Sequence, residues 1–349
     1  MTVRIGLGLF TGQVAHGSDR TFTREYEETL DLVRLAETVG FDSAWVSEHH
    51  GAGDGYFPSL LPVLAAFAAA TDRIQLGTGV LLTPFHHPLR LAEDAAAVDL
   101  LSGGRLILGL GLGWREEEFR TFDVPVSHRV RRTEETIEVL RRAWTGERFS
   151  FQGRAYSYDR VQVTPAPERQ GGGSIPIYLG GMAEPAVRRA GRLADGWIRT
   201  RGIGDVADVR KGVAEFEDAA RQAGRDPSAL GFAQRQNVFV SEDGDAWEVV
   251  RDGMAHAVGV YAGWDQGGNT PGQGFVLPPV DEEAVRTAEP IGTAHQVAQR
   301  LRPFVEAFGG SGRDVDLIVR LHYPGLAFET SARAVETFAS RVMPALRGS

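Results

Sequence analysis

Residues 41–50 read FDSAWVSEHH, a short apolar run that ends abruptly on three ionisable side chains. The apolar part, residues 42–47, predicts a buried strand. Placing Glu48, His49 and His50 together at its end is unfavourable unless they face a cavity or a partner. In an α/β barrel the strand ends open onto the active-site face. The pattern therefore predicts a functional site at the end of the second strand.

Strand-like and helix-like segments alternate along most of the chain. Strands are predicted at residues 3–10, 42–47, 74–82, 105–110, 175–180, 196–200, 230–240 and 315–321. Helices are predicted at residues 23–39, 60–70, 89–101, 115–122, 128–144, 183–193, 206–223, 245–258, 292–308 and 331–346, and Thr23 is the expected N-cap of the first helix. This order predicts a closed (β/α)₈ barrel, a single domain over residues 1–349.

An open doubly wound sheet is the alternative architecture. It would place a glycine fingerprint after the first strand, whereas the Gly-x-Gly-x-Gly of residues 109–113 follows the fourth. These glycines are better explained as positions where backbone or a ligand packs closely at a barrel rim. The barrel remains the prediction.

Composition narrows the class of protein. The formal net charge of −9 argues against a nucleic-acid partner, which needs a basic surface. The chain has no cysteine, which excludes disulfides, thiolate nucleophiles and cysteine-bound metals. The first residues lack a signal-peptide layout, and no apolar run approaches the roughly 20 residues of a membrane span. We expect a cytoplasmic protein that does not interact with membranes.

The histidine pair allows more than one kind of chemistry. His49 and His50 could serve as acid, base or oxyanion stabiliser, or could simply be surface or capping residues. A metal site would need further ligands, such as His86 and His87 after the third strand. The first strand has no histidine of the kind that barrel hydrolases use. We predict that no metal is bound.

A second candidate region follows the fifth strand. Gly180, Gly181, Met182 and Ala183 join that strand to a helix, and free N–H groups at a helix start bind anions. An ordinary tight turn is the alternative. Two arginines at the end of the sixth strand, Arg199 and Arg201, could add positive charge or be solvated.

Other features surround the predicted barrel mouth. Three glutamates open the helix after the fourth strand, and acids there suit the helix dipole. His322 and Tyr323 end the eighth strand and could line the mouth. Residues 261–280 are rich in Gly, Pro, Asn and Gln, and loops of that length are often lids. We predict a mobile lid insertion at residues 261–285.

Several stretches together resemble the bacterial-luciferase-like flavin monooxygenases. They are GFDSAWVSEHH, LGTGVLLTPFHHPLRLAEDAAAVDLLSGGRLILGLG, GWREEEF, and IPIYLGG followed by RRAGRLADGW. The resemblance extends from the second to the sixth strand in the same order and spacing, and continues faintly in PIGTAHQVAQRL. It is specific for the superfamily and much less so for the reaction.

The resemblance implies a barrel that holds reduced flavin at its C-terminal strand ends. It makes His49 the catalytic residue beside the flavin, with Glu48 and His50 as its neighbours. It places a non-proline cis peptide against the flavin ring at Gly79–Val80. Backbone N–H groups of Gly181, Met182 and Ala183 would bind the flavin phosphate, and the lid would shield a reactive oxygen adduct.

Two positions depart from the luciferase pattern. Leu112 stands where luciferase has an arginine for the flavin phosphate, and Met182 stands where it has a serine. Arg199 or Arg201 would have to compensate. Weak flavin binding suits an enzyme that receives reduced FMN from a separate flavin reductase, and the chain shows no nicotinamide fingerprint.

The resemblance implies a monooxygenase that uses reduced FMN and O₂, through a flavin 4a-hydroperoxide, on a small apolar organic substrate. The expected pocket residues are Phe10, Trp45, Phe85, Trp114, His322 and Tyr323. Three alternatives remain: a deazaflavin-dependent hydride-transfer enzyme of the same superfamily, a non-catalytic flavin-binding protein, and a metal-dependent hydrolase. Alanine-rich faces at residues 64–70 and 92–97 would allow a homodimer.

Overall fold

The computed structural model describes residues 3–200, 204–265, 279–309 and 315–348. Within them, eight parallel strands form the barrel: Val3–Phe10, Ser43–Val46, Gln75–Thr78, Leu106–Gly111, Ile177–Gly180, Gly196–Arg199, Gly231–Asn237 and Val315–Arg320. We number them as barrel strands 1 to 8. Strand 1 pairs with strand 8 and strand 3 with strand 4, so the sheet closes on itself. The predicted (β/α)₈ barrel is confirmed.

Helices cover the outside of the barrel. They are α1 (Phe22–Val39), α2 (Leu60–Ala70), α3 (Pro88–Leu101), α4 (Glu116–Thr121), α5 (Arg129–Ala143), α6 (Glu184–Leu193), α7 (Val206–Gln222), α8 (Ala246–Asp265), α9 (Glu282–Ala288), α10 (Ala294–Gly309), α11 (Phe328–Thr337) and α12 (Met343–Arg347). A π-helical turn, Phe338–Val342, joins the last two. Short strands add an antiparallel hairpin, Phe149–Gln152 with Ser157–Val161, and a parallel pair, Phe239–Val240 with Ile291–Gly292.

The barrel interior is packed with side chains below its mouth. Seven buried residues form this inner cluster: Leu9, Trp45, Ile107, Tyr178, Ile198, Ala233 and Ile318. Trp45 is fully buried there, and a Cβ on Gly77 would lie 2.2 Å from its ring. A larger apolar layer separates the strands from the helices. A ligand can therefore enter only at the strand ends, as in other barrels of this kind.

Several helix boundaries differ from the sequence prediction, and the closing helix predicted at residues 331–346 begins at Phe328 and is interrupted by the π-helical turn. The N-cap of α1 is Thr21, whose side chain accepts a hydrogen bond from the Arg24 N–H, and not Thr23. Helix α8 continues to Asp265, so the first part of the predicted lid, from Tyr261, is helical. Helix α9 occupies the end of the same segment, and residues 266–278 lie outside the described residues.

In the part of the chain that the structure describes, no helix is both long enough and apolar enough to span a membrane.

Candidate active site

Glu48 lies at the end of barrel strand 2 with its carboxylate fully buried. It accepts hydrogen bonds from the Leu82 N–H at 2.9 Å, from His50 Nε2 at 2.6 Å and from His86 Nε2 at 3.0 Å. Burial alone would raise the pKa of Glu48, but the hydrogen bonds from His50 and His86 outweigh it and lower the pKa to about 2. Glu48 thus fixes the loop after strand 3 against the histidine pair.

His49 is held by a carboxylate from the helix that follows strand 4. Its Nδ1 lies 2.9 Å from Glu118 Oε1, on helix α4, and the same oxygen accepts the His50 N–H at 2.9 Å. Arg115 donates to the His50 carbonyl at 2.9 Å and so ties α4 to this loop. The carboxylate fixes the ring of His49 and directs its Nε2 edge away from α4.

Four aromatic rings surround His49, which is only 4% exposed. The ring-centroid distances are 4.9 Å to Tyr56, 6.3 Å to Trp114, 5.5 Å to Tyr261 and 4.5 Å to Trp264. The Tyr56 and Tyr261 hydroxyls are 2.9 Å apart, and the Arg115 guanidinium lies 4.1 Å from the Trp264 ring. The last turns of α8 thus cover His49 and limit its contact with water. We call these four rings the aromatic cage.

The Val80 side chain packs on the inner cluster and against two glycines at the strand ends. The Gly79–Val80 peptide is cis, as the resemblance implied, and Gly8–Leu9 is a second non-proline cis peptide that the sequence did not predict. A Cβ on Gly111 would lie 2.3 Å from Val80 Cγ2, and one on Gly180 would lie 2.8 Å from Val80 Cγ1. Side chains are therefore excluded at both positions beside Val80.

The loop into α6 offers fewer N–H donors than the sequence suggested. The Gly181 N–H already donates to the Ile198 carbonyl at 3.2 Å, so it is not available for a phosphate. Within the described residues, no acceptor is assigned to the N–H groups of Met182, Ala183 and Glu184 at the start of the helix. The phosphate-binding prediction for Met182 and Ala183 stays a prediction, and Glu184 joins it.

Arg199 does not face the barrel interior. It shares its face of strand 6 with Trp197, whose ring packs against Phe216 of α7 at 6.0 Å. Arg199 is 3% exposed, and its Nη1 donates to Gln234 Oε1 at 3.3 Å. We therefore drop Arg199 from the proposed phosphate site. Arg201 lies outside the described residues.

Two predicted pocket residues are packed away from the mouth. Phe10 packs edge-on against Phe67 of α2 at 6.1 Å, between the barrel and its helices. Trp45 belongs to the packed interior, and its Nε1 donates to Ser43 Oγ at 2.8 Å. Neither ring has a face left for a substrate, because both are almost fully buried by protein atoms.

The two residues after strand 8 are also engaged elsewhere. His322 contacts Glu25 Oε1 through Nε2 and Ser331 Oγ through Nδ1, both at 2.8 Å, so it joins α1 to α11. The Tyr323 hydroxyl donates to backbone carbonyls, including that of Val238, and accepts the Val238 N–H at 3.0 Å. Both are structural residues beside the mouth.

Phe85 and Trp114 are the predicted pocket residues that the structure places at the mouth. Phe85 packs against His50 at 5.8 Å and stacks on Phe122 at 4.9 Å. Trp114 is 40% exposed and belongs to the aromatic cage. They flank the histidine pair on its two sides.

Within the described residues, no three His, Cys, Asp or Glu side chains are arranged to hold a metal ion. His86, considered above as a ligand, instead donates to Glu48, and His87 lies 3.5 Å from the Tyr158 hydroxyl.

The barrel, the histidine pair and the cis peptide agree with a comparison against known families. A family model described as luciferase-like monooxygenase matches residues 4–311. The chain belongs to this family. It is accordingly an enzyme of the luciferase-like oxidoreductase class, as the resemblance of its motifs implied.

Relatives within the family divide between two cofactors. The chain is 34% identical over 206 residues to an F420-dependent glucose-6-phosphate dehydrogenase from Microbacterium testaceum, covering 57% of this chain and 60% of that protein. It is 24% identical over 357 residues to the oxygenase component of a flavin-dependent trigonelline monooxygenase from Acinetobacter baylyi, covering 98% and 95%. The crystal structure of monooxygenase RslO1 from Streptomyces bottropensis has a TM-score of 0.79 and 26% identity, covering 98% and 99%. The chain thus spans about 60% of the F420-dependent relative and nearly all of the two monooxygenases.

Proposed function

We propose that this protein is a flavin-dependent monooxygenase that uses reduced FMN and O₂ to oxygenate a small organic substrate. The observation that carries the proposal is His49, fixed by Glu118 and enclosed by the aromatic cage at the strand-end face of the barrel. The end-to-end similarity to a flavin-dependent monooxygenase supports it. Shielding from water matters most for reactive oxygen chemistry, which water diverts to side reactions.

The residues at the mouth fit a flavin. Gly111 and Gly180 have no side chain and so make room for Val80, whose backbone the family resemblance places against the flavin ring. The N–H groups of Met182, Ala183 and Glu184 at the start of α6 could hold its phosphate. One oxygen of Glu118, Oε2, is buried and has no hydrogen-bond partner within the described residues, which leaves an acceptor at the site.

Each residue then has a limited task. A bound reduced flavin would supply the electrons that activate oxygen. His49, with Nδ1 donating to Glu118, presents Nε2 as the group that accepts or returns a proton. Glu48 holds His50 and the loop that carries Leu82 in place. Tyr261 and Trp264 keep bulk water from the imidazole.

A deazaflavin-dependent dehydrogenase is the second candidate. Its support is the 34% identity to the F420-dependent relative, which covers little more than half of this chain. Hydride transfer needs no oxygen, and His49 would then act as acid or base toward a substrate hydroxyl or carbonyl. A non-catalytic flavin-binding protein would not need a buried histidine whose ring is oriented by Glu118.

Reduced FMN would come from a separate flavin reductase in this proposal. The reductase, a homodimer of the chain and the lid over residues 261–285 all remain proposals from the sequence. The lid would extend from the end of α8, whose Tyr261 and Trp264 already cover His49.

Gly181→Ala is expected to raise the Kd for reduced FMN at least about tenfold, equivalent to about 1.4 kcal/mol. Gly181 has a φ of +157°, and an added Cβ would lie 2.6 Å from Ala186 Cβ, so the loop must move away from α6. The Kd is measured by anaerobic fluorescence titration. Gly173→Ala is the matched control, because nothing lies within 4 Å of its Cβ position. An unchanged Kd in a folded Gly181→Ala protein would remove this loop from the flavin site.

The experiment that tests the proposed function is an anaerobic titration of the protein with reduced FMN and, separately, with reduced F420. We expect reduced FMN to bind more tightly. The variant His49→Ala should retain this preference, because it changes a proton-transfer group and not the loop into α6. Binding of F420 alone would favour the dehydrogenase.

A further inference from the structure

Two arginines, Arg235 and Arg320, lie on the inner face of adjacent barrel strands at their C-terminal ends. Strands 7 and 8 pair in register. Because side chains alternate along a strand, Arg235 shares a face with Ala233, and Arg320 shares a face with Ile318. Both Ala233 and Ile318 belong to the packed barrel interior. The two guanidinium groups therefore stand just above that packing, at the floor of the mouth.

Arg320 is buried, and no carboxylate of the described residues forms an ion pair with it. It is 3% exposed; its Nε donates to the His322 carbonyl at 3.0 Å and its Nη2 to Thr11 Oγ1 at 3.1 Å. Its guanidinium also lies 5.0 Å from the Tyr323 ring. Burial lowers the pKa of Arg320, and repulsion from Arg235 acts in the same direction. Among the described residues, no Asp or Glu forms an ion pair with Arg320.

Arg235 has an unused donor. Its Nη2 donates to Asn237 Oδ1 at 2.9 Å, whereas its Nε is buried and has no hydrogen-bond partner among the residues that the structure describes. Glu289 accepts hydrogen bonds from Gln236 and Asn237 and forms no ion pair with Arg235 in the described part of the chain. Burial raises the pKa of Glu289, although Arg235 and Arg300 oppose that shift. The arginine pair thus keeps excess positive charge.

This charge lies beside the catalytic group. The positive charge of Arg320 interacts electrostatically with the Tyr56 hydroxyl. The centroid of the Tyr56 ring lies 4.9 Å from that of His49. Gln13, near the start of the connection between strand 1 and α1, accepts from Arg320 Nη2 at 3.5 Å and donates to Asp54 Oδ2 at 2.6 Å. The two arginines therefore lie next to the residues that surround His49, on the side of the aromatic cage that faces the barrel interior.

We infer that Arg235 and Arg320 recognise an anionic group on the organic substrate, so that the enzyme acts on a small organic acid with an aromatic or apolar body. A guanidinium matches a carboxylate in charge and fork geometry, and a buried donor without a partner is unfavourable until such a group binds. The aromatic cage would hold the body of the substrate against His49. This inference rests on the proposed function and refines the apolar substrate that the sequence suggested.

The test compares benzoate with its neutral counterpart benzamide. Binding to the flavin-free protein is followed by the fluorescence of the cage tryptophans and by calorimetry. We expect benzoate to bind at least about tenfold more tightly, since hydrogen bonds between charged partners are stronger than those to a neutral amide. Arg235→Gln should abolish that preference, and Arg235→Lys should retain part of it. Arg90→Gln, an exposed arginine on α3, is the matched control.

The outcomes separate this inference from the proposed function. Equal binding of benzoate and benzamide, or binding of neither, would overturn the substrate inference and leave the FMN titration to stand or fall separately. If Arg235→Gln instead weakened reduced FMN binding and left benzoate unaffected, the arginines would serve the flavin, and the inference would be wrong. Thermal unfolding of each variant shows whether it is folded.

Discussion

His49→Ala is expected to lower the rate of substrate oxygenation by about 10²- to 10⁴-fold, the usual contribution of a positioned acid–base group. The reason is geometric: Glu118 fixes one ring nitrogen of His49, and the aromatic cage limits the contact of the ring with water. The measurement is single-turnover product formation with a substrate that the wild-type protein oxygenates. Reduced FMN affinity should change less than about threefold, about 0.6 kcal/mol.

The matched control for this prediction is His295→Ala. His295 is an exposed histidine on α10, far from the cage in the fold. It should react at the wild-type rate. A His49→Ala protein that binds FMN and still oxygenates its substrate within about threefold of the wild-type rate would show that His49 is not the proton-transfer group.

Glu48→Gln is expected to lower the free energy of unfolding at neutral pH by about 3 kcal/mol, from about 1.4 kcal/mol per pKa unit. The folded-state pKa of Glu48 is lowered from 4.5 to about 2, because His50 and His86 donate to it despite its burial. A depressed folded pKa stabilises the fold above pH 4.5. That stability is lost as the pH falls from about 4.5 to about 2.

Urea unfolding at several pH values measures this effect. The wild-type protein should lose stability more steeply between pH 4.5 and pH 2 than Glu48→Gln does, and the difference isolates this carboxylate from others. Glu138→Gln, at an exposed i,i+4 pair with Arg142, is the control and should change stability by about 0.5 kcal/mol or less. Equal pH slopes in the wild-type and Glu48→Gln proteins would contradict the account of Glu48.

The order of strands and helices could be predicted because each strand is a short apolar run and each helix has its own periodicity. The site at the end of strand 2 could be predicted for a related reason. Three ionisable residues directly after a buried strand are unfavourable unless they face a cavity or bind a partner. The cis peptide at Gly79–Val80 came from the family resemblance alone and is confirmed.

Glu118 could not be selected from the sequence. Glu116, Glu117 and Glu118 all suit the first turn of α4, and only the packing of that helix shows which one reaches His49. The role of α8 was missed because Gly and Gln residues after Asp265 obscured its end, so Tyr261 and Trp264 were assigned to a loop. The composition around a helix end does not predict which residues elsewhere in the fold the last turn will contact.

The arginine pair did leave a signal in the sequence. Arg235 lies in GFAQRQN and Arg320 in VDLIVR, each within a strand of the barrel. A charged residue in a barrel strand must face the interior or a buried partner, and strand alternation indicates which. The failed predictions for Phe10, Trp45 and Arg199 have the converse cause, because a position near a strand end does not reveal which face the side chain takes.

The most direct test of the account admits O₂ to the protein loaded anaerobically with reduced FMN and follows flavin oxidation and hydrogen peroxide release by stopped-flow spectroscopy. We predict that bound FMN reacts with O₂ and that peroxide release is slower than from free FMN, because the cage excludes water, and that Trp264→Ala restores fast release. A protein that binds only reduced F420 and shows no reaction with O₂ would contradict the monooxygenase proposal and make this chain a hydride-transfer enzyme.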